Sequence, residues 1–383
     1  MAKKKGKDEE KIFDDLDDFT DDLIKGINES HKDKIAFNLG TDESPTAVSR
    51  FINSGSKQLN YILSRQLNGG FPEGRIIEIY GPPAIGKSHL AIQLARSAQE
   101  AGGIACYADT ENATSIDNLV NLGINLKRLI YIQPSCTEEV FQAAEEVIKR
   151  ARASNKDVPI VFIWDSVAGS SPKDEIDGNY DKMTIGLQAR ALSKGFRKIT
   201  QTIGHNKITF CVLNQIRTRI GVMFGNPMTT PGGHALPFHA SVRLELSSGA
   251  HIKDKNDNVI GINVKAKTIK NKIVAPHRFC EFQIIFGVGL NEDEQIFSVI
   301  EKEGKQEIDG KIYQLKNAGG WKKFIVNGED KESFRKDEWP SIYREYQKIF
   351  DEMFENAMAK KFQVSINNPS FEEIKEIHKQ QEE

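Results

Sequence analysis

The segment Arg75-Ile76-Ile77-Glu78-Ile79-Tyr80-Gly81-Pro82-Pro83-Ala84-Ile85-Gly86-Lys87-Ser88-His89-Leu90 decides the fold. Its part from Gly81 to Ser88 matches GxxxxGK(S/T), a phosphate-cradling loop that has meaning only between a strand and a helix. Both are present. RIIEIY (75–80) has strand composition, and LAIQLARSAQEA (90–101) spaces Leu90, Leu94 and Ala98 four apart, as one helix face requires. The glycines let the backbone curl so that several N–H groups point at a phosphate, and the helix start adds partial positive charge. Lys87 adds a full charge, and the Ser88 hydroxyl suits Mg²⁺. Gly81 through His89 are therefore the candidate nucleotide-binding residues.

Working outward, residues 49–291 alternate short apolar runs with helical segments. The runs are RIIEIY, IACYA (104–108), LIYI (129–132), PIVFIW (159–164), KITFCVL (207–213), VRLELS (242–247), INVKAKTI (262–269) and CEFQIIF (280–286). That βαβ rhythm predicts an α/β fold, a mostly parallel central sheet with flanking helices. PIVFIW is apolar throughout rather than alternating, as suits a strand buried on both faces. Asp165 follows it, at the carboxyl edge where such sheets bind ligands, and is the candidate second holder of Mg²⁺. The alternative is a cap for the following turn. Hydrolysis also needs a group to orient or deprotonate water. Asp109-Thr110-Glu111 follows IACYA at the same edge, and Glu111 is the better candidate, with an exposed loop acid as the plain alternative.

The remaining chain is read from composition. At 383 residues it has room for two or three domains. An apolar share of 39% is ordinary for a globular protein once glycine is counted, and excludes disorder of the whole. No run reaches the roughly 18 apolar residues of a spanning helix. MAKKKGKDEEKIFDD lacks the apolar stretch of a secretory signal. The 4 cysteines are scattered and form no CxxC pair, which points to a reducing, cytoplasmic setting. Residues 1–10 read as a charged tail. Ile12, Phe13, Leu16, Phe19, Leu23 and Ile24 then form a helical stripe that must dock on a core, its own or another copy's. The predicted division is 1–48 for tail and oligomerisation helix, 49–291 for the core, and 292–383 for a small α+β domain with a polar tail.

With 52 basic and 54 acidic residues the net charge is −2, so nucleic acid gains no global attraction. Basic groups must be gathered locally. Arg190, Lys194, Arg197 and Lys198 share one helix face, while Leu192, Phe196 and Ile199 occupy the opposite one. Without further support this is also what an ordinary solvated helix looks like. Arg217-Thr218-Arg219-Ile220 runs into Gly221-Val222-Met223-Phe224-Gly225-Asn226-Pro227, an apolar patch inside a Gly/Asn/Pro/Thr-rich loop. It makes sense if the loop orders around a strand, with amides and Arg217 on phosphates and an apolar side chain against bases. Such stacking is worth about 1–3 kcal/mol per base and tolerates any sequence.

Taken in order and spacing, GRIIEIYGPPAIGKS, DTENA, VFIWDSVAGSSPKDEIDG, NQIRTRIGVMFGNPMTTPGGHAL and KNKIVAP resemble the RecA recombinase family, almost continuously from Ser54 to Asn291. The resemblance implies a RecA-like ATPase core and a DNA-dependent ATPase. Such an enzyme polymerises with ATP and Mg²⁺ on single-stranded DNA and exchanges strands with homologous duplex, in recombination, repair and the SOS response. It implies Glu111 as general base, Asp165 as Walker B acid and Gln215 as γ-phosphate sensor. Lys270 and Lys272 are implied as groups reaching the neighbouring protomer's ATP, although on their own they read equally as a solvated strand end. Ile185 and Ile220 fall at wedge positions of the two DNA loops. Arg190, Arg197, Arg217, Arg219, Gly232 and Gly233 fall at DNA-binding positions. Phe238 falls at an interface position, where a core aromatic is the plain alternative. The chain departs from the family at Asn118 and Ser115, where an adenine-stacking Tyr and an Asp are expected. It departs also at Pro83 in the loop, at Pro237 beside Phe238, and in a less acidic tail. A ring-forming motor of the same ATPase class, or an ATP-binding filament scaffold without strand exchange, are the competing readings.

Overall fold

A computed structural model of the chain describes residues 2–31, 34–42, 44, 46–154, 157–179, 186–218 and 228–362. The backbone divides into two compact units, residues 1–49 and 50–383. In the first, α1 (Ala2–Glu29) is followed, among the described residues, by chain without helix or strand. Asn28 turns the chain there: its Oδ1 accepts from the N–H groups of Ile35 and Ala36, and its Nδ2 donates to the Ala36 carbonyl, each at 2.9 Å. Leu16, Phe19, Leu23 and Ile27 of α1 are exposed. The helix starts at Ala2, so residues 2–10, which composition reads as tail, are helical. Lys and Glu carry good helix propensity, and the charged start extends the amphipathic stretch rather than ending it.

The second unit begins with β1 (Phe51–Ile52), α2 (Lys57–Ser64), β2 (Phe71–Pro72), β3 (Ile76–Gly81), α3 (Lys87–Glu100), β4 (Ile104–Asp109), α4 (Ile116–Asn121), β5 (Leu129–Ile132) and α5 (Thr137–Ser154). It continues through β6 (Ile160–Asp165), α6 (Lys173–Ile176), α7 (Leu187–His205), β7 (Ile208–Gln215), β8 (Arg217–Thr218), β9 (Met228–Thr229), α8 (Ala235–His239), β10 (Val242–Lys253), β11 (Val259–Asn271), β12 (Phe279–Ile285) and β13 (Gly289–Asn291). It closes with α9 (Asp293–Glu303), β14 (Gln306–Ile308), β15 (Lys311–Ala318), β16 (Trp321–Val326), β17 (Glu329–Phe334), α10 (Trp339–Glu345) and α11 (Gln347–Lys361).

Among the described residues the main sheet has nine strands in the order β13-β12-β11-β10-β3-β7-β6-β4-β5. The run from β10 to β5 is parallel, and the β10–β13 end is antiparallel. Successive residues of a strand point to opposite faces, and both faces here are covered. Val161 and Ile163 of β6 join one apolar cluster with Leu90 and Leu94 of α3, whereas Phe162 and Trp164 join the other with Phe141 of α5 and Phe196 of α7. This is why PIVFIW carries no alternation. In the second cluster Phe162 stacks on Phe210 at 5.0 Å, and Phe141 meets Phe196 edge-on at 5.2 Å. The first cluster runs on without a break into Phe324, Trp339 and Phe350 around the four-stranded sheet β14–β17.

Candidate nucleotide site and the adjoining basic face

Parallel register assembles the site. Gly81 pairs with Gln215, and Asp109 with Asp165, so β3, β7, β6 and β4 end together at one sheet edge. The loop after β3 is turned by Ala84 at φ +57° and Gly86 at φ +92°. A side chain on Gly86 would also meet the Ile284 Cδ1 at 2.2 Å, so glycine is required there twice over. The loop borders a cavity of about 420 Å³ lined by Pro83 to His89, Glu111, Asn118, Asp165, Ser166, Gln215, Ile262, Ile284 and Phe286. Gly81 and Pro82 lie behind it and accept hydrogen bonds from the Lys87 ammonium at 3.0 and 2.7 Å. Burial lowers the pKa of Lys87, against the pull of Asp165 and Glu111.

The Ser88 hydroxyl donates to Asp165 Oδ2 at 2.8 Å, and the Tyr107 hydroxyl donates to the same oxygen at 2.6 Å. Burial raises the Asp165 pKa, while the two donors oppose the rise. A hydroxyl and a carboxylate side by side at a phosphate loop are hard oxygen donors of the kind that Mg²⁺ takes together with nucleotide phosphates. Glu111 Oε1 accepts from the Ser166 hydroxyl and from Gln215 Nε2, the latter at 3.3 Å. Asp109 holds the Glu111 loop: it accepts from the N–H groups of Glu111 and Thr114 at 3.0 Å each, and from the Tyr131 hydroxyl at 2.8 Å. Glu111 is thus exposed, yet its carboxylate is held at the cavity wall by Ser166 and Gln215.

Behind Gln215 lies a buried polar cluster. Asn214 Oδ1 accepts from the Gln215 N–H at 3.0 Å, and its Nδ2 donates to Glu78 Oε1 at 3.1 Å and to the Pro231 carbonyl at 3.3 Å. Glu78 is fully buried and paired with Arg243, whose β10 position stands opposite Lys270 on β11.

A sequence model described as the RecA N-terminal domain matches residues 20–291. The chain belongs to the RecA family. Protein RecA of Cereibacter sphaeroides is 40% identical over 270 residues, covering 70% of this chain and 76% of that protein. Protein RecA of Streptococcus pyogenes serotype M49 is 36% identical over 335 residues, or 86% of this chain and 83% of that one. As a RecA-family protein it is a DNA-dependent ATPase of recombination and repair, and performs ATP-dependent strand exchange.

The remaining RecA-family positions fall elsewhere on the unit. Lys270 and Lys272 do not line the cavity; the Lys270 ammonium donates to the carbonyls of Pro237 and Phe238 at 2.9 and 2.8 Å, and Lys272 is exposed. Phe238 is 74% exposed, so the core-aromatic alternative is ruled out. Arg190, Lys194, Arg197 and Lys198 all face solvent on α7, opposite buried Leu192, Phe196 and Ile199. Of these, Lys198 pairs with Glu145 of α5 at 2.8 Å. Gly232 and Gly233 pack against α7, where added side chains would meet Leu192 at 2.4 Å and Ala189 at 3.1 Å. Arg217 is exposed at the start of β8, which pairs antiparallel with β9. Ile185, Arg219 and Ile220 lie outside the described residues.

Sequence reading passed over Phe286, Ser166 and Tyr107. Phe286 was visible as the end of CEFQIIF, but nothing local says that β12 returns beside the phosphate loop, where its ring faces that of His89 at 6.5 Å. Asn118, at the place of an expected tyrosine, does line the cavity.

Proposed function

We propose that this chain polymerises with ATP and Mg²⁺ on single-stranded DNA, pairs that strand with homologous duplex, and works in the cytoplasm in repair and the SOS response. The observation that carries the reading is the contact of Gln215 with Glu111 across the phosphate-loop cavity, at the end of the strand that enters the loop after Thr218. One side chain thereby touches the acid suited to activate water and adjoins the segment suited to hold DNA. Glu111 accepts the proton of the attacking water at a carboxylate oxygen, and Gln215 senses the γ-phosphate. Ser88 and Asp165 would hold Mg²⁺, which would supply charge neutralisation for the phosphates. Lys270 and Lys272, remote from their own cavity, supply positive charge to the neighbouring copy's γ-phosphate. Phe238 belongs to the same interface, and the exposed stripe of α1 packs on the next copy.

Arg190, Arg197, Arg217 and Arg219 hold DNA phosphates. Ile185 and Ile220 act as wedges, and Gly232 and Gly233 let the loop exit lie close to α7. No helix among the described residues is long and apolar enough to cross a membrane. Electron microscopy with single-stranded DNA and a non-hydrolysable ATP analogue tests the reading: helical filaments are expected, and closed rings or free monomers overturn it. Turnover with and without single-stranded DNA across a salt series, followed by a three-strand exchange assay, then separates a recombinase from a passive scaffold.

A further inference from the structure

Two tyrosines stand side by side under the acids of the sheet edge. Tyr107 of β4 and Tyr131 of β5 are register partners, and their rings stack at 6.4 Å with 14° between planes. Each hydroxyl donates to a different aspartate, Tyr107 to Asp165 and Tyr131 to Asp109. They differ in setting. Tyr131 is 39% exposed, whereas Tyr107 is 1% exposed and its hydroxyl points into the floor of the site. Asp165 Oδ2 is engaged by Ser88 from the loop side and by Tyr107 from within the sheet. Ser88 belongs to the phosphate loop and is free to turn its lone pairs towards a cation. Tyr107 is locked in the apolar cluster with Val161 and Ile163.

We infer that Tyr107 is a positioning residue for the divalent cation. Its hydroxyl keeps Asp165 Oδ2 pinned when Ser88 is drawn away, so the carboxylate meets the cation in one fixed orientation. This rests on the reading of Ser88 and Asp165 as the cation's holders. Hydrogen-bond partners of ligating groups commonly change metal affinity by about 10–100-fold when removed. The buried ring itself is untouched by Tyr107→Phe, which deletes only the oxygen.

The test is a Mg²⁺ titration of the binding of a fluorescent N-methylanthraniloyl ATP analogue to the full chain without DNA. Melting curves are recorded for every variant. Tyr107→Phe is expected to raise the half-saturating Mg²⁺ concentration by about tenfold or more, with full binding restored at high Mg²⁺. Tyr131→Phe, which removes the neighbouring hydroxyl, is expected to leave that midpoint in place. In an Asp165→Asn background, Tyr107→Phe is expected to add no further shift, which a general loosening of the sheet does not predict. An unchanged midpoint in Tyr107→Phe overturns the inference alone. So does an equal shift in the Asp165→Asn background, or a loss that high Mg²⁺ does not restore. Binding by the unaltered protein that ignores Mg²⁺ altogether overturns the assignment of Ser88 and Asp165 as well.

Discussion

Lys87 directs its ammonium at the carbonyls of Gly81 and Pro82, so the charge is stored against the loop's own backbone at the point where phosphate oxygens belong. Lys87→Ala is expected to abolish nucleotide binding while leaving the melting temperature nearly unchanged, measured by fluorescent-analogue binding and calorimetry. Glu111→Gln keeps the shape of the site and removes the base. Turnover is expected to fall by about 10²–10⁴-fold with nucleotide affinity intact, and full turnover in a phosphate-release assay would remove Glu111 from its role. His239 gives a pH effect of known sign. Burial and then Lys270, Lys272 and Arg197 lower its pKa from 6.5, while its Nδ1 sits 2.9 Å from the Thr200 hydroxyl. The unfolded chain therefore binds the proton more readily. The stability that neutral His239 contributes is complete above about pH 6.5 and is lost as pH falls towards the lowered folded value. His239→Asn is expected to flatten that acid limb in thermal melts taken from pH 7.5 to 5.

At the scale of the element, α7 does two jobs with one sequence. Its apolar face is spent on Phe141 and Phe210, so Arg190, Lys194 and Arg197 are left facing water. The pairing of Lys198 with Glu145 is a surface ion pair worth at most about 1 kcal/mol, and it takes one cation out of the stripe. Arg190→Ala and Arg197→Ala are each expected to weaken single-stranded DNA binding uniformly across sequences. Each should lower the log–log salt slope by about 0.7, read from fluorescence anisotropy at several salt concentrations. An unchanged slope would place the DNA elsewhere. The helix face was legible because its four cations lie within nine residues, 190–198. The same holds for the phosphate loop, for Asp165 at the end of an unbroken apolar strand, and for the strands themselves. Tyr107, Phe286 and Glu78 were not legible, because their meaning comes from partners 58, 197 and 165 positions distant, namely Asp165, His89 and Arg243. Register between strands creates the first and last of those pairs, and the packing of the end of β12 against α3 creates the second; no local pattern encodes either.

For the molecule as a whole, the proposed nucleotide-binding groups and the groups proposed to reach the neighbouring copy occupy two separate surfaces. The phosphate loop, Asp165, Glu111 and Gln215 share one cavity, while Lys270, Lys272 and Phe238 lie apart from it. Phe238→Ala separates folding from assembly. An exposed side chain contributes within about 0.5 kcal/mol to stability, so the melting temperature should hold while filament length collapses in light scattering and micrographs. Filaments of normal length would strike Phe238 from the interface. The hydrogen bonds of Asn214 give this division a mechanical meaning. One rigid amide is moored to the buried Glu78, to the Pro231 carbonyl at the loop exit and to the peptide N–H of Gln215. With both of its amide hydrogens committed, it behaves like a pulley with little slack: a tug on Gln215 from the phosphate end would be felt at Pro231 and at the buried Glu78.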